Sequence, residues 1–98
     1  MPEFSGIKTV YAPSKKLSDA DILRAIKFAI ASEFEAVQIY EEIMESTDNK
    51  KVKAVLAEIS EDERKHAGGL YKLLTLLSPA DVAAFEEGAK EAMEELEK

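Results

Sequence analysis

The sequence predicts an all-α protein: an antiparallel hairpin of two long helices plus a shorter C-terminal helix, with two chains pairing into a four-helix bundle. Apolar residues recur every three or four positions in two stretches of nearly equal length, which is typical of amphipathic helices. A short polar break at Thr47, Asp48 and Asn49 separates the stretches, which favours an antiparallel hairpin. A lone hairpin would leave its broad apolar face in water, so we expect a partner.

Composition excludes several classes of protein. There is no cysteine, which rules out a disulfide framework, a thiolate metal site and an iron–sulfur cluster. The net charge of −7 argues against a nucleic-acid or anionic-membrane surface. No stretch resembles a signal peptide, and no apolar run is as long as a membrane span. These features are compatible with a cytoplasmic protein and predict no nucleic-acid or membrane partner.

The chain divides into an extended N-terminal arm, residues 1–17, and a helical domain, residues 18–98. The arm contains two of the three prolines and shows no helical period. Ser18 is a good N-cap, with Asp21 three residues later, so we expect the first helix from about Asp19 to about Ser46.

The second helix should follow the break, from about Lys50 to Leu77, with Asp48 or Asn49 as its cap. Ser78 followed by Pro79 predicts a third helix up to about Glu97. One face of the third helix is apolar and the other is strongly acidic, which favours a rim contact or a docking arm. Within the second helix, Gly68 and Gly69 predict a close backbone approach, a local bulge or a tight packing point.

Each long helix carries an apolar stripe, predicted to face inward, that polar residues interrupt at its centre. On the first helix the stripe contains Ile22, Ile26, Ala29, Glu33, Ala36, Tyr40 and Ile43, and on the second Val52, Leu56, Ile59, Glu63, His66, Leu70, Leu73 and Leu77. Folding the hairpin at Thr47 places Glu33 and Glu63 at the same height, because they lie about 14 and 15 residues from the turn. His66 lies one turn further along the second helix.

Three ionisable groups in one interior layer indicate a metal site. A buried carboxylate without compensation is costly, and a divalent cation supplies that compensation. Carboxylate and imidazole without thiolate suit iron, manganese or zinc. The di-iron site of ferritin-like bundles takes one Glu from each of two helices and a Glu-x-x-His from each of two others. This chain supplies half of that set, so a two-fold dimer would complete the site and bury the stripes together.

Other interpretations of these residues remain open. Glu63 and His66 could form a salt-bridged polar layer that sets the register of a structural oligomer. Tyr40 lies two turns beyond Glu33 and could bond a ligand carboxylate, be oxidised near the metal, or be a core tyrosine. Glu35 belongs to an acidic run that could be a solvated face or a path for cations.

The pattern of Glu33, Tyr40 and Glu63-x-x-His66 resembles the encapsulated ferritins and covers about residues 18–97. The resemblance implies a ferritin-like half-bundle whose dimers form a ferroxidase centre, with five dimers closing into a ring-shaped decamer. It implies a di-iron cofactor shared between two subunits, which oxidises Fe(II) with dioxygen. The partner would be an encapsulin shell protein, so that the chain works inside an encapsulin nanocompartment.

The same resemblance implies roles for single residues. Glu33, Glu63 and His66 would be iron ligands, Tyr40 a catalytic neighbour, and Glu35 an acidic position on the path that metal takes to the site. The chain departs from the family in having Ser32 where a second acid can stand. It also has Ile39 in place of an aromatic residue and lacks a C-terminal targeting peptide, which suits an excised domain of a longer protein. A peroxide-reducing protein like rubrerythrin is an alternative that would need an external electron donor.

Overall fold

The computed structural model describes residues 16–98, which form three helices. These are α1 (Asp19–Glu45), α2 (Lys50–Leu77) and α3 (Pro79–Leu96). The all-helical prediction is confirmed, and each helix begins and ends within one residue of its predicted bounds. The predicted N-terminal arm lies outside the described residues, except for its last two positions. Between residues 16 and 98, no helix has a stretch long and apolar enough to cross a bilayer.

Side-chain caps define where the helices begin. The Ser18 hydroxyl accepts a hydrogen bond from the Asp21 N–H, and the Asp21 carboxylate accepts one from the Ser18 N–H, which forms a capping box on α1. Asn49 caps α2 by accepting from the N–H groups of Lys51 and Val52. Ser78 ends α2 and caps α3, and the proline that follows it is at the start of α3.

In α2 the predicted inward stripe is out of phase with the seam between α1 and α2, whereas in α1 the seam includes the stripe residue Ile26. The buried residues of this seam are Ile26 and Val37 in α1 and Ser60, Ala67 and Leu74 in α2. Each buried residue of α2 comes one position after a residue of the predicted stripe. The buried side of α2 is therefore rotated by roughly 100° from that stripe. Small side chains at Ser60 and Ala67 let the two helices approach, which explains the difference.

Several larger apolar residues are left on one flank of the hairpin. Ile43, Val55, Leu73 and Leu77 are all exposed there. We call this flank, which also carries the three predicted ligands, the site face. Its apolar residues are left without a cover by the three helices of one chain.

Helix α3 touches the hairpin only near its own beginning. Asp81 pairs with Lys27 of α1 at 3.1 Å, and the Phe85 ring stacks on Tyr71 of α2 with ring centroids 6.1 Å apart. No residue of α3 is buried. Its apolar residues Met93 and Leu96 are therefore exposed, as expected of a docking arm rather than a cover for the hairpin.

The prediction that Gly68 and Gly69 mark a close approach or a bulge is wrong within the described chain. Both lie in regular helix, and a Cβ built at either position meets no atom within 4 Å. The open space shows that no neighbouring backbone within residues 16–98 requires glycine here.

Candidate metal centre

Glu33, Glu63 and His66 come together at the middle of the hairpin, as the spacing predicted. α1 supplies Glu33, and α2 supplies the other two from successive turns. The Glu33 and Glu63 side chains are 20% and 22% exposed, whereas His66 is 60% exposed. The cluster therefore lies at the edge of the seam and opens onto the site face, not inside the packed interior of one chain.

The His66 ring nitrogen faces both carboxylates without a hydrogen bond to either. His66 Nδ1 lies 3.8 Å from Glu33 Oε2 and 3.9 Å from Glu63 Oε2. These distances exceed the 2.7–3.2 Å of an N–H···O hydrogen bond. Two donors about 2.1 Å from one ion would themselves lie roughly 3 to 4 Å apart. The spacing therefore suits side chains that share a cation.

Electrostatics at Glu33 also indicate a missing positive charge. The pKa of Glu33 is raised, first by a hydrogen bond with the Glu63 carboxyl, then by burial and by the negative charge of Glu63, against a smaller lowering by His66. That hydrogen bond needs a proton on one carboxyl, because two carboxylates can only accept. Without such a proton Glu33 Oε2 is buried with no donor. A cation would satisfy the same oxygen.

The donor set fits a divalent transition metal. It consists of two carboxylates and one imidazole, and it is the one such group among residues 16–98. Oxygen and nitrogen donors without thiolate suit iron, manganese or zinc. The buried, unpartnered Glu33 oxygen is an observation of this chain that independently favours a bound cation.

Tyr40 and Glu35, the other predicted site residues, stand apart from this group. Tyr40 is half-buried two turns from Glu33, and no hydrogen bond joins it to a ligand carboxylate within the described chain. Glu35 is also half-buried. It lies two residues from Glu33, roughly 200° around α1, so its side chain leaves the helix on the far side.

Sequence reasoning missed Ser60, which is 1% exposed and lies one turn before Glu63. Its hydroxyl has no hydrogen-bond partner within residues 16–98. A serine one position off the apolar stripe was the available sign, but its burial follows only once the phase of the seam is known.

Comparison with known proteins identifies the family. Residues 24–98, most of the chain, match the family described as Rubrerythrin. This chain belongs to the rubrerythrin family. Glu33, Glu63 and His66 all lie within the segment that matches the family.

Relatives of this rubrerythrin-family chain include two curated proteins. It is 34% identical over 80 residues, 82% of the chain, to the encapsulin nanocompartment cargo protein EncC of Myxococcus xanthus. It is 24% identical over 86 residues, 88% of the chain, to a ferritin-like–encapsulin shell fusion protein of Pyrococcus furiosus. The chain spans 58% and 25% of these relatives' lengths.

A solved structure shares the fold. The encapsulated ferritin domain from Pyrococcus furiosus superimposes with a TM-score of 0.81 over 89% of both chains, at 24% identity. At this identity the likeness establishes the ferritin-like helical fold of this rubrerythrin-family member.

Proposed function

We propose that this protein is a ferroxidase, which oxidises Fe(II) to Fe(III) with dioxygen at a di-iron site formed between two copies of the chain. The convergence of Glu33, Glu63 and His66, with a buried Glu33 oxygen that lacks a donor, carries the proposal. Bound iron would supply the redox chemistry, each Fe(II) giving one electron to dioxygen.

The protein's own groups have distinct tasks in this proposal. Glu33 and Glu63 provide negative charge, which stabilises the ion more strongly as its charge rises from 2+ to 3+. His66 turns Nδ1 toward both carboxylates and offers a neutral nitrogen donor. The apolar site face limits water around these groups once it is covered, which strengthens their electrostatic attraction for the ion.

A second copy of the chain is the proposed cover. One chain offers two carboxylates and one imidazole, half the set of a ferritin-like di-iron site. The exposed imidazole and the exposed apolar residues around it occupy the same face. A two-fold axis through this face would double the ligands and bury the apolar side chains in one step.

The names of the relatives support a place within a shell. One relative is a nanocompartment cargo protein and the other is a fusion to an encapsulin shell. We propose that the iron product is held by an encapsulin shell in the cytoplasm, with this chain inside the nanocompartment. A ring-shaped decamer of five dimers would need a second contact surface on each chain, for which the exposed apolar residues of α3 are the candidate.

Tyr40 and Glu35 keep secondary roles in the proposal. Tyr40 lies on the same side of α1 as Glu33, so a small movement on assembly would bring its hydroxyl closer to the site. Glu35 stands on the outer side of α1 and is proposed to attract cations toward the dimer.

The test of this function is Fe(II) oxidation in air by the metal-free protein and its ligand variants. Glu33→Ala, Glu63→Ala and His66→Ala should each lower the initial rate by at least about 100-fold, because removal of a ligand leaves an incomplete donor set. Glu58→Ala is the matched control, since Glu58 is an exposed glutamate of α2 outside the cluster. Unchanged oxidation in all three ligand variants would refute the ferroxidase assignment.

Peroxide reduction is the second candidate, which membership of the rubrerythrin family favours. The two functions differ in the oxidant that is consumed faster. The ferroxidase proposal predicts faster Fe(II) oxidation with dioxygen than with an equal concentration of hydrogen peroxide under argon, after subtraction of the protein-free rates. The reverse order would favour peroxide reduction, and a rate equal to buffer with both oxidants would favour a structural polar layer.

A further inference from the structure

The buried serine beside the metal cluster has a hydroxyl with no partner. Ser60 is 1% exposed, and its Oγ has no hydrogen bond within residues 16–98. An unmade hydrogen bond of a buried hydroxyl destabilises the fold, so alanine, which packs in nearly the same space, would be favoured here on packing grounds alone. Packing of the metal-free chain therefore does not explain why this position holds a serine.

The other hydroxyl side chains inside the helices behave differently. Ser32 donates to the Phe28 carbonyl at 3.0 Å, and Thr75 donates to the Lys72 carbonyl at 2.7 Å. This back-bonding is the usual way in which a hydroxyl within a helix is satisfied. Ser60 makes no such bond. Its hydroxyl is thus left able to serve a neighbouring side chain.

Glu63 is the neighbour that the helix brings to Ser60. Residues three apart on a helix have Cβ atoms about 5–6 Å apart. A long helical side chain leans back over the preceding turn, so the Glu63 side chain extends toward the turn that contains Ser60. The other buried oxygen without a partner, Glu33 Oε2, belongs to the same cluster. Both orphaned polar atoms of the described chain therefore lie at this one place.

We propose that Ser60 is a positioning residue, whose hydroxyl donates a hydrogen bond to the Glu63 carboxylate when that carboxylate holds metal. The inference rests on the proposed metal site. A carboxylate that binds an ion through one oxygen keeps lone pairs on the other, and a fixed donor there orients the ligand. In the metal-free chain Glu63 instead turns toward Glu33, and donor oxygens of the two carboxyls lie within 4.8 Å of each other. Metal binding would separate the carboxyls and release Glu63 toward Ser60.

The test is the affinity of the full chain for Co(II), a probe that needs no redox reaction, measured by calorimetric titration. Ser60→Ala should weaken Co(II) binding about 10-fold, the lower end of the range for groups that orient a metal ligand. Its metal-free melting temperature should equal or exceed that of the wild type, because the unsatisfied buried hydroxyl is gone. Thr75→Val is the matched control, because it removes a hydroxyl of α2 that is already bonded to the backbone. It should bind Co(II) like the wild type.

Only weaker binding together with an undiminished melting temperature supports the proposal. Unchanged Co(II) affinity in Ser60→Ala would overturn it. Weaker binding with a lowered metal-free melting temperature would also overturn it, because the effect would then be general packing.

These outcomes are separate from the fate of the ferroxidase proposal. If the wild-type protein oxidises no iron but its Co(II) affinity depends on Ser60, the ferroxidase proposal fails and the positioning role of Ser60 stands. If the protein is an active ferroxidase and Ser60→Ala leaves the Co(II) affinity unchanged, the ferroxidase proposal stands and the positioning role of Ser60 fails.

Discussion

Asp81 and Glu33 are two carboxylates of this chain whose neighbours move their pKa values in opposite directions. The Ser78 hydroxyl and then the Lys27 ammonium lower the pKa of Asp81, because both stabilise its charged form. Glu33 faces another carboxyl, and its pKa is raised. Asp81 is satisfied by the chain itself, whereas Glu33 still lacks a positive partner.

Asp81 gives a pH-dependent prediction about stability. Its folded pKa lies below the unfolded value of about 3.9, so its stabilising effect is complete above that value and is lost as pH falls toward the folded pKa. Asp81→Asn, which removes the charge but keeps an acceptor, should unfold at a lower temperature than the wild type at pH 7. The difference should shrink below about pH 4. Thermal denaturation followed by circular dichroism at both pH values measures this, and a constant difference would contradict it.

Among single residues, the sequence predicted the donor cluster but not the buried serine next to it. Glu33, Glu63 and His66 followed from residue type and spacing, because helical periodicity fixes which side chains share a height and a side. Ser60 did not follow, because its burial depends on how α2 is rotated against α1. When the apolar stripe is wide, the periodicity of the sequence does not determine how α2 is rotated about its own axis.

The helices show why boundaries were easier to predict than contacts. Ser18, Asn49 and Ser78 each cap the helix that follows, and the proline after Ser78 removes a donor that the helix start would leave unpaired. These are local effects that the sequence contains in full. The phase of the seam depends on the interlocking of small and large side chains between helices, which is not local.

Gly68 offers a prediction about α2. It is exposed in regular helix with open space where a Cβ would be. Gly68→Ala should therefore raise the free energy of unfolding by about 1 kcal/mol, because alanine loses less conformational freedom in a helix. Chemical denaturation of the two proteins measures the difference. A lowered stability would instead show that another chain approaches the backbone at this point.

The whole molecule is a hairpin whose site face is unfinished. Its polar centre holds the cluster of Glu33, Glu63 and His66, and apolar side chains surround that centre. The sequence predicted the need for a partner because two helices cannot bury so broad a stripe. It also predicted that α3 would be a rim contact or a docking arm, but not the Lys27–Asp81 and Tyr71–Phe85 contacts that hold α3 against the hairpin.

A charge placed on the site face should both weaken the pairing of chains and slow Fe(II) oxidation. Leu73 is 42% exposed there, two turns beyond His66, so Leu73→Glu removes little packing within one chain. In a dimer it would bury an unpaired charge at a cost of several kcal/mol, which weakens pairing by roughly two orders of magnitude or more. Sedimentation and Fe(II) oxidation, measured at one protein concentration, should show smaller particles and slower oxidation.

Phe34→Glu is the control for that experiment. Phe34 is 64% exposed and lies one residue past Glu33, about 100° around α1 and away from the site face. The Phe34→Glu substitution should leave the rate of Fe(II) oxidation unchanged. Equal loss of oxidation in both variants would contradict the assignment of the interface to the site face.

The most direct test of the central claim, that two chains complete one metal centre, is native mass spectrometry of the protein loaded with Fe(II) under argon. Iron should appear only in species with an even number of chains, at about one ion per chain, because each pair would form one two-ion site. Single chains should carry none, and Glu33→Ala should remove iron from the paired species. Iron held equally by single chains, or paired chains that bind none, would contradict the shared site.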